Sequence, residues 1–188
     1  MNRIRIVFLL FALMLTVNNY AQSAMEKLPF SEIEAYPETY TSNLLVARMV
    51  DGLGFRYYWA TDGLRKEDLE YKISESSRTS KETIAHIYGL SKFIRNSVLE
   101  DNKDETKEEL DFNDLRKQTL FNLKLVSDSF KNSKDTFMFN DISVPFWNIV
   151  NGPISDALWH CGQVVMLRRA SGNPFNSKVS VFRGKLRE

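Results

Sequence analysis

The 188-residue chain has little cysteine, glycine or proline. Its single cysteine, Cys161, cannot form a disulfide within the chain. Only 8 glycines and 5 prolines are present, and no internal repeat or low-complexity tract interrupts the sequence. The formal net charge is +1 and the basic residues form no cluster, which argues against a nucleic-acid partner. These absences predict one compact domain stabilised by hydrophobic packing.

The N-terminus carries the apolar run Ile6–Val17, preceded by two arginines. This run is shorter than the roughly 20 residues that a membrane-spanning helix needs. The small-residue exit Ala21-Gln22-Ser23 completes the three-part layout of a secretory signal peptide. We predict a signal peptide over residues 1–23 and a mature domain over residues 24–188, periplasmic or secreted and without a stable membrane span after cleavage. The alternative is an uncleaved N-terminal anchor.

Three segments carry apolar residues at helical spacing before the last quarter of the chain. They cover about Thr41–Thr61, Thr79 to the charged stretch 100–109, and Asp111 to about Ser133. The pattern Thr79-x-x-Glu82 predicts a capping box at the start of the second segment. Asp111 or Asn113 can cap the third. The charged stretch is predicted to be a solvated loop.

A fourth helical segment is predicted to begin at Asn151-Gly152-Pro153, because Asn and Gly are accepted at an N-cap and Pro at the first helical position. Gly172-Asn173-Pro174 ends it. Only Arg168 and Arg169 look solvent-seeking, and a helix that is apolar nearly all round is expected to be buried. With residues 134–150 as a longer crossover before this last helix, the pattern predicts an all-α protein, a four-helix bundle.

The fourth helix also carries a polar row, Asp156, His160 and Gln163, which would be costly to bury without partners. Asp156 and His160 are four residues apart, so they project from one face and can bind one ion. The only other histidine, His86, lies on an inward row of the second helix. Two imidazoles and a carboxylate suit Zn²⁺, Ni²⁺ or Fe²⁺. Spacing alone leaves two interpretations open: a divalent-metal site at His86, Asp156 and His160, or a buried metal-free Asp–His pair.

Three further residues are candidates for roles at the site. Asp51 could orient a ligating imidazole, or it could pair with Arg48 or Arg56. Gln163 could donate a hydrogen bond to a substrate or to the water on the metal, or it could fix the loop before the last helix. Cys161 points away from His160 and lies on the apolar face, so we predict a core residue rather than a thiolate ligand.

The string NGPISDALWHCGQVVMLRRASGNP, Asn151–Pro174, resembles the last-helix signature of the DinB-like superfamily. That superfamily also includes thiol-dependent transferases that use bacillithiol or mycothiol. Arg48–Thr61 is similar to its first helix, and Glu82–Ile87 is similar to the second-helix segment that carries its first metal ligand. The resemblance covers roughly Leu44–Pro174, which is most of the predicted mature chain.

The resemblance implies an up-down four-helix bundle with a crossover and a metal site at one end of its core. The usual ligands of the superfamily are a His in the second helix and a His-x₃-His pair in the later helix. His86 matches the first position and His160 the last. Asp156 stands at the middle position, where His is commonest, although some relatives such as mycothiol-dependent isomerases resemble this chain in using a carboxylate.

The function that this implies is a metal-dependent enzyme acting on a small molecule that the sequence does not name. The metal, Zn or Ni ahead of Fe, would activate a thiol or a water for group transfer or hydrolysis. Export argues against the thiol, because low-molecular-weight thiol cofactors are chiefly cytosolic. The alternative is a non-catalytic helical bundle with a structural or vestigial metal site, and an iron oxygenase ranks last. The sequence leaves a homodimer open.

Overall fold

The computed structural model describes residues 27–35, 37–99, 110–133, 139 and 142–188. The predicted signal peptide and the predicted charged loop at residues 100–109 lie outside these ranges. The described part of the chain is mostly helical, with one pair of two-residue strands, so the all-α expectation is confirmed. None of the described helices combines the length and the apolar character that a membrane crossing requires.

The helices pack around one core. Their bounds are α1 (Ser42–Thr61), α2 (Lys66–Glu70), α3 (Ser80–Leu99), α4 (Phe112–Asn132), α5 (Phe146–Ile149) and α6 (Ser155–Ala170). The strands β1 (Val179–Ser180) and β2 (Lys185–Leu186) pair in antiparallel register. Both α1 and α3 pack against α4 and against α6, so the four long helices enclose the core between them. The core is apolar, and its largest fully buried side chains include Phe55, Tyr57, Ile84, Ile87, Leu120, Leu123 and Phe130.

The starts of the first three long helices follow local side-chain chemistry. At α3, the Glu82 carboxylate accepts a hydrogen bond from the Thr79 N–H at 2.8 Å, and the Thr79 hydroxyl accepts one from the Glu82 N–H at 3.1 Å. The predicted capping box is therefore confirmed. These hydrogen bonds hold the pKa of Glu82 below its ordinary value. At α4, the Asp111 side chain is the cap, and at α1 the cap is Thr41. Each cap satisfies backbone donors that the first turn leaves without partners.

The last helix begins earlier than predicted. Helical backbone starts at Phe146 and continues through a π-helical segment, Val150–Ile154, into α6. The prediction of a start at Asn151-Gly152-Pro153 is wrong, because Pro153 lies inside this helix. Proline has no N–H to donate, and the wider π turn changes which carbonyls need donors. The Val150 carbonyl accepts from both the backbone N–H and the hydroxyl of Ser155.

The expected burial of the last helix is correct for only one of its faces. Ala157, Cys161 and Val164 are buried in the core, as the apolar spacing predicted. Trp159 and Met166, however, keep 74% and 58% of their surface exposed. The prediction that this helix is buried nearly all round is therefore wrong. The two exposed side chains line grooves next to the candidate metal ligands.

The C-terminal end of the last helix is fixed by a buried arginine. Arg168 is only 3% exposed, so the prediction that it is solvent-seeking is wrong. Its Nη1 donates to the carbonyls of Trp59, Ala60 and Asp62 at 3.1, 3.0 and 2.9 Å, and its Nε donates to the Asn173 carbonyl at 2.7 Å. The first three of these carbonyls lie at the end of α1, where helix acceptors lack intrahelical partners. Arg168 therefore joins the ends of α1 and α6.

Candidate metal centre

The structure brings the three predicted metal ligands together. His86 lies in the second turn of α3, and Asp156 and His160 lie on successive turns of α6. The His86 Nε2 atom is 3.2 Å from Asp156 Oδ2, and the His160 Nε2 atom is 3.3 Å from Asp156 Oδ1. One ligand atom from each residue lies within 4.8 Å of the others. This group could hold a metal ion.

Buried neighbours set the direction of each ligand. His86 lies between Ile84 and Ile87, which are fully buried, and His160 precedes the buried Cys161. Because α3 packs against α6, burying these neighbours turns the ligands toward the edge of the helix–helix interface. The two imidazole rings meet edge to face, with centroids 4.6 Å apart and planes at 89°.

The cluster is partly open to solvent. The His160 side chain is 12% exposed, whereas the side chains of His86 and Asp156 are 34% and 41% exposed. The sequence placed Asp156 and His160 in an apolar interior, and for Asp156 that prediction is wrong. An ion held here would have a route to water and to small molecules from outside.

Gln163 is hydrogen-bonded to Nδ1 of His160, the ring nitrogen that faces away from Asp156. Its Oε1 atom lies 2.8 Å from His160 Nδ1. An amide oxygen can only accept a hydrogen bond, so Nδ1 carries the proton and a neutral His160 presents a bare lone pair at Nε2. A divalent metal ion between Nε2 and the Asp156 carboxylate is one arrangement that satisfies both groups, and a proton on Nε2 is the metal-free one.

Replacing Gln163 with Leu is expected to weaken metal binding about 10- to 100-fold, because the partner of a ligating imidazole fixes its tautomer and its orientation. Titration of metal-free protein with Zn²⁺ by calorimetry measures the change. Gln163 is exposed, so the fold should not be affected. Gln118→Leu is the matched control, since Gln118 accepts from the Tyr88 hydroxyl instead. Equal zinc affinity in Gln163→Leu and wild-type protein would contradict the positioning role.

Two grooves open beside the cluster. One is lined by His160 and Gln163 together with Ile73, Arg78, Thr83 and Met166. The other is lined by His86 and Asp156 together with Leu90, Phe93, Asn151 and Pro153. Trp159 lines both and stands between them. Sequence reasoning missed Trp159 and Arg78, because apolar spacing placed the tryptophan in a buried helix and nothing local marked the arginine.

Asp51 takes no part in the cluster. It is buried, its carboxylate lies 3.0 Å from Lys131 Nζ, and the Ser127 hydroxyl donates to it. The prediction that Asp51 orients an imidazole, or pairs with Arg48 or Arg56, is therefore wrong. Asp51 links α1 to α4 instead.

Cys161 is buried beside the cluster without joining it. Burial raises the pKa of its thiol to about 12, so the side chain stays protonated at neutral pH. A protonated thiol is a poor metal ligand and a poor nucleophile. The predicted role as a core residue agrees with this position.

Comparisons of the chain with protein-family models, with curated proteins and with solved structures found no match. The resemblance of Asn151–Pro174 to the DinB-like superfamily stays a prediction from the sequence. A functional assignment therefore depends on the geometry of the cluster and of the grooves beside it.

Proposed function

We propose that this protein is a metal-dependent enzyme of the DinB-like superfamily, in which His86, Asp156 and His160 hold a divalent ion. Zn²⁺ or Ni²⁺ is preferred to Fe²⁺, and the reaction is hydrolysis or group transfer on a small molecule. The observation that carries the proposal is the convergence of three ligand atoms from two helices where two grooves meet.

The residues fit such an ion. In a tetrahedral site with ligand bonds of about 2.1 Å, neighbouring ligand atoms lie roughly 3.4 Å apart. The His86 and His160 nitrogens lie 3.2 and 3.3 Å from different oxygens of Asp156, and three ligand atoms, one from each residue, lie within 4.8 Å of one another. Neutral imidazoles and a carboxylate are ligands that Zn²⁺ and Ni²⁺ accept. Three protein ligands leave one position open, which is the arrangement of catalytic rather than structural zinc sites.

The chain's own residues set the conditions at that open position. A divalent ion would supply a Lewis acid that lowers the pKa of a coordinated water or thiol. Asp156 contributes the one formal negative charge among the ligands, and Gln163 keeps His160 in the ligating tautomer. The indole of Trp159, which lines both grooves, gives an approaching substrate an apolar surface beside the ligands.

The fold and the location form part of the proposal. The packing of α1, α3, α4 and α6 around one core supports an up-down four-helix bundle. Export follows from the predicted signal peptide at residues 1–23. In a periplasmic or secreted protein, water is the more accessible nucleophile, so we rank hydrolysis ahead of thiol transfer.

Turnover that depends on the metal tests this function against a structural or vestigial site. Zinc-loaded protein is expected to hydrolyse p-nitrophenyl acetate, to lose that activity on chelation and to recover it when Zn²⁺ is returned. Cysteine with 1-chloro-2,4-dinitrobenzene tests the thiol reaction in the same way. Asp156→Ala should be inactive in both assays, whereas Asp114→Ala, which removes an exposed carboxylate from α4, should retain activity. Zinc binding without turnover in either assay would favour the non-catalytic bundle.

A further inference from the structure

The groove on the His160 side combines an apolar wall with one formal charge. Ile73, Trp159 and Met166 line it, and they are 67%, 74% and 58% exposed. Apolar residues scattered singly over a protein surface are normal, whereas several exposed apolar side chains next to a polar cluster are typical of a binding surface. Arg78 is the one formally charged side chain among the described residues that line this groove.

Arg78 is available to bind an anion. Within the described ranges of the chain, no hydrogen bond or ion pair joins its guanidinium to another group. The nearby carboxylate of Glu82 is already held by the N–H and the hydroxyl of Thr79. Arg78 acts on Glu82 only at longer range, through its charge. A guanidinium with free donors matches the two oxygens of a carboxylate.

The other groove offers no equivalent site. His86 is the one basic residue among its described lining residues, and in the proposed function its nitrogen is bound to the metal. Asp156 adds a negative charge to this groove. An anionic group entering the cleft is therefore directed to the His160 side.

We propose that the groove on the His160 side binds an amphipathic carboxylate. Its carboxylate pairs with Arg78, its apolar chain lies along Trp159 and Met166, and its far end reaches the open position beside His160. This rests on the proposed function, because it assigns a substrate class to that metal site. The pairing with Arg78 would also make the groove selective for anionic ligands, since an uncharged molecule of the same length has no group that pairs with the guanidinium.

Octanoate and octan-1-ol form a matched pair of probes, with the same chain length and different charge at pH 7. Calorimetric titration of chelator-treated, metal-free protein is expected to show octanoate binding at least tenfold more tightly than octan-1-ol. Metal-free protein is used because a carboxylate could otherwise bind the metal. Arg78→Gln should abolish the preference and leave octan-1-ol binding unchanged. Arg183→Gln, which changes an exposed arginine of the β-hairpin, should retain the preference.

Trp159→Ala tests whether the probes bind in this groove. It should weaken the binding of both octanoate and octan-1-ol. Equal affinity of the wild-type protein for the two probes overturns the inference, as does a preference that survives in Arg78→Gln. A failure of the proposed function gives a different result. Octanoate would then still be preferred through Arg78, while zinc-dependent turnover would be absent.

Discussion

Zinc is expected to raise the melting temperature of metal-free protein, and His160→Ala is expected to abolish that rise. A ligand that binds only the folded state stabilises it by about 2.7 kcal/mol at 100 times its Kd. For a domain of this size, that corresponds to roughly 5–10 °C. His160 supplies one of three ligand atoms, and its loss leaves only His86 and Asp156. Thermal unfolding followed by circular dichroism, with and without Zn²⁺, measures the effect.

Trp159→Phe is the matched control, because Trp159 precedes His160 and lines the same grooves but offers no ligand atom. It should retain the full rise in melting temperature. Gln163→Leu should show a smaller rise than wild-type protein at the same zinc concentration. A wild-type protein that melts at one temperature in both conditions would show that the cluster holds no metal.

Replacing Arg168 with Met is expected to lower the free energy of unfolding by about 3–5 kcal/mol. Methionine fills a similar volume but donates no hydrogen bond. The carbonyls of Trp59, Ala60 and Asp62 would lose the donor that the buried guanidinium provides. Urea denaturation of the two proteins gives the difference directly.

Arg169→Met is the matched control, because it shows how much stability is lost when an exposed arginine next to Arg168 is replaced in the same way. Arg169 is exposed, and its guanidinium lies over the Phe175 ring, so its loss should cost no more than about 1 kcal/mol. Arg168→Lys serves if Arg168→Met does not fold, because lysine retains the charge and only part of the hydrogen bonding. A loss below 1 kcal/mol in Arg168→Met would mean that water replaces the guanidinium.

The features that the sequence predicts correctly depend on neighbouring residues. The capping box at Thr79 and Glu82 is formed by four consecutive residues, so the pattern contains the whole interaction. The pairing of Asp156 with His160 on one helix face follows from their spacing. His86 could be proposed as the third ligand because the chain has only two histidines.

The features that the sequence misses depend on distant parts of the chain. Asp51 pairs with Lys131, which is 80 positions away, so spacing within its own helix pointed to the wrong arginines. Arg168 is buried because the end of another helix needs donors, and a helical wheel does not show that need. Trp159 is exposed because no element covers that face of α6 in the described part of the chain.

The π-helical segment has a consequence for comparing this chain with others. Ile149 and Ile154 are both buried although they are five residues apart, a spacing that would place them about 140° apart around a regular α-helix. A related chain with one residue fewer between them would bury both with ordinary α-helical geometry. A one-residue gap at Val150–Ile154 in an alignment would therefore leave the positions of Asp156 and His160 aligned with their counterparts.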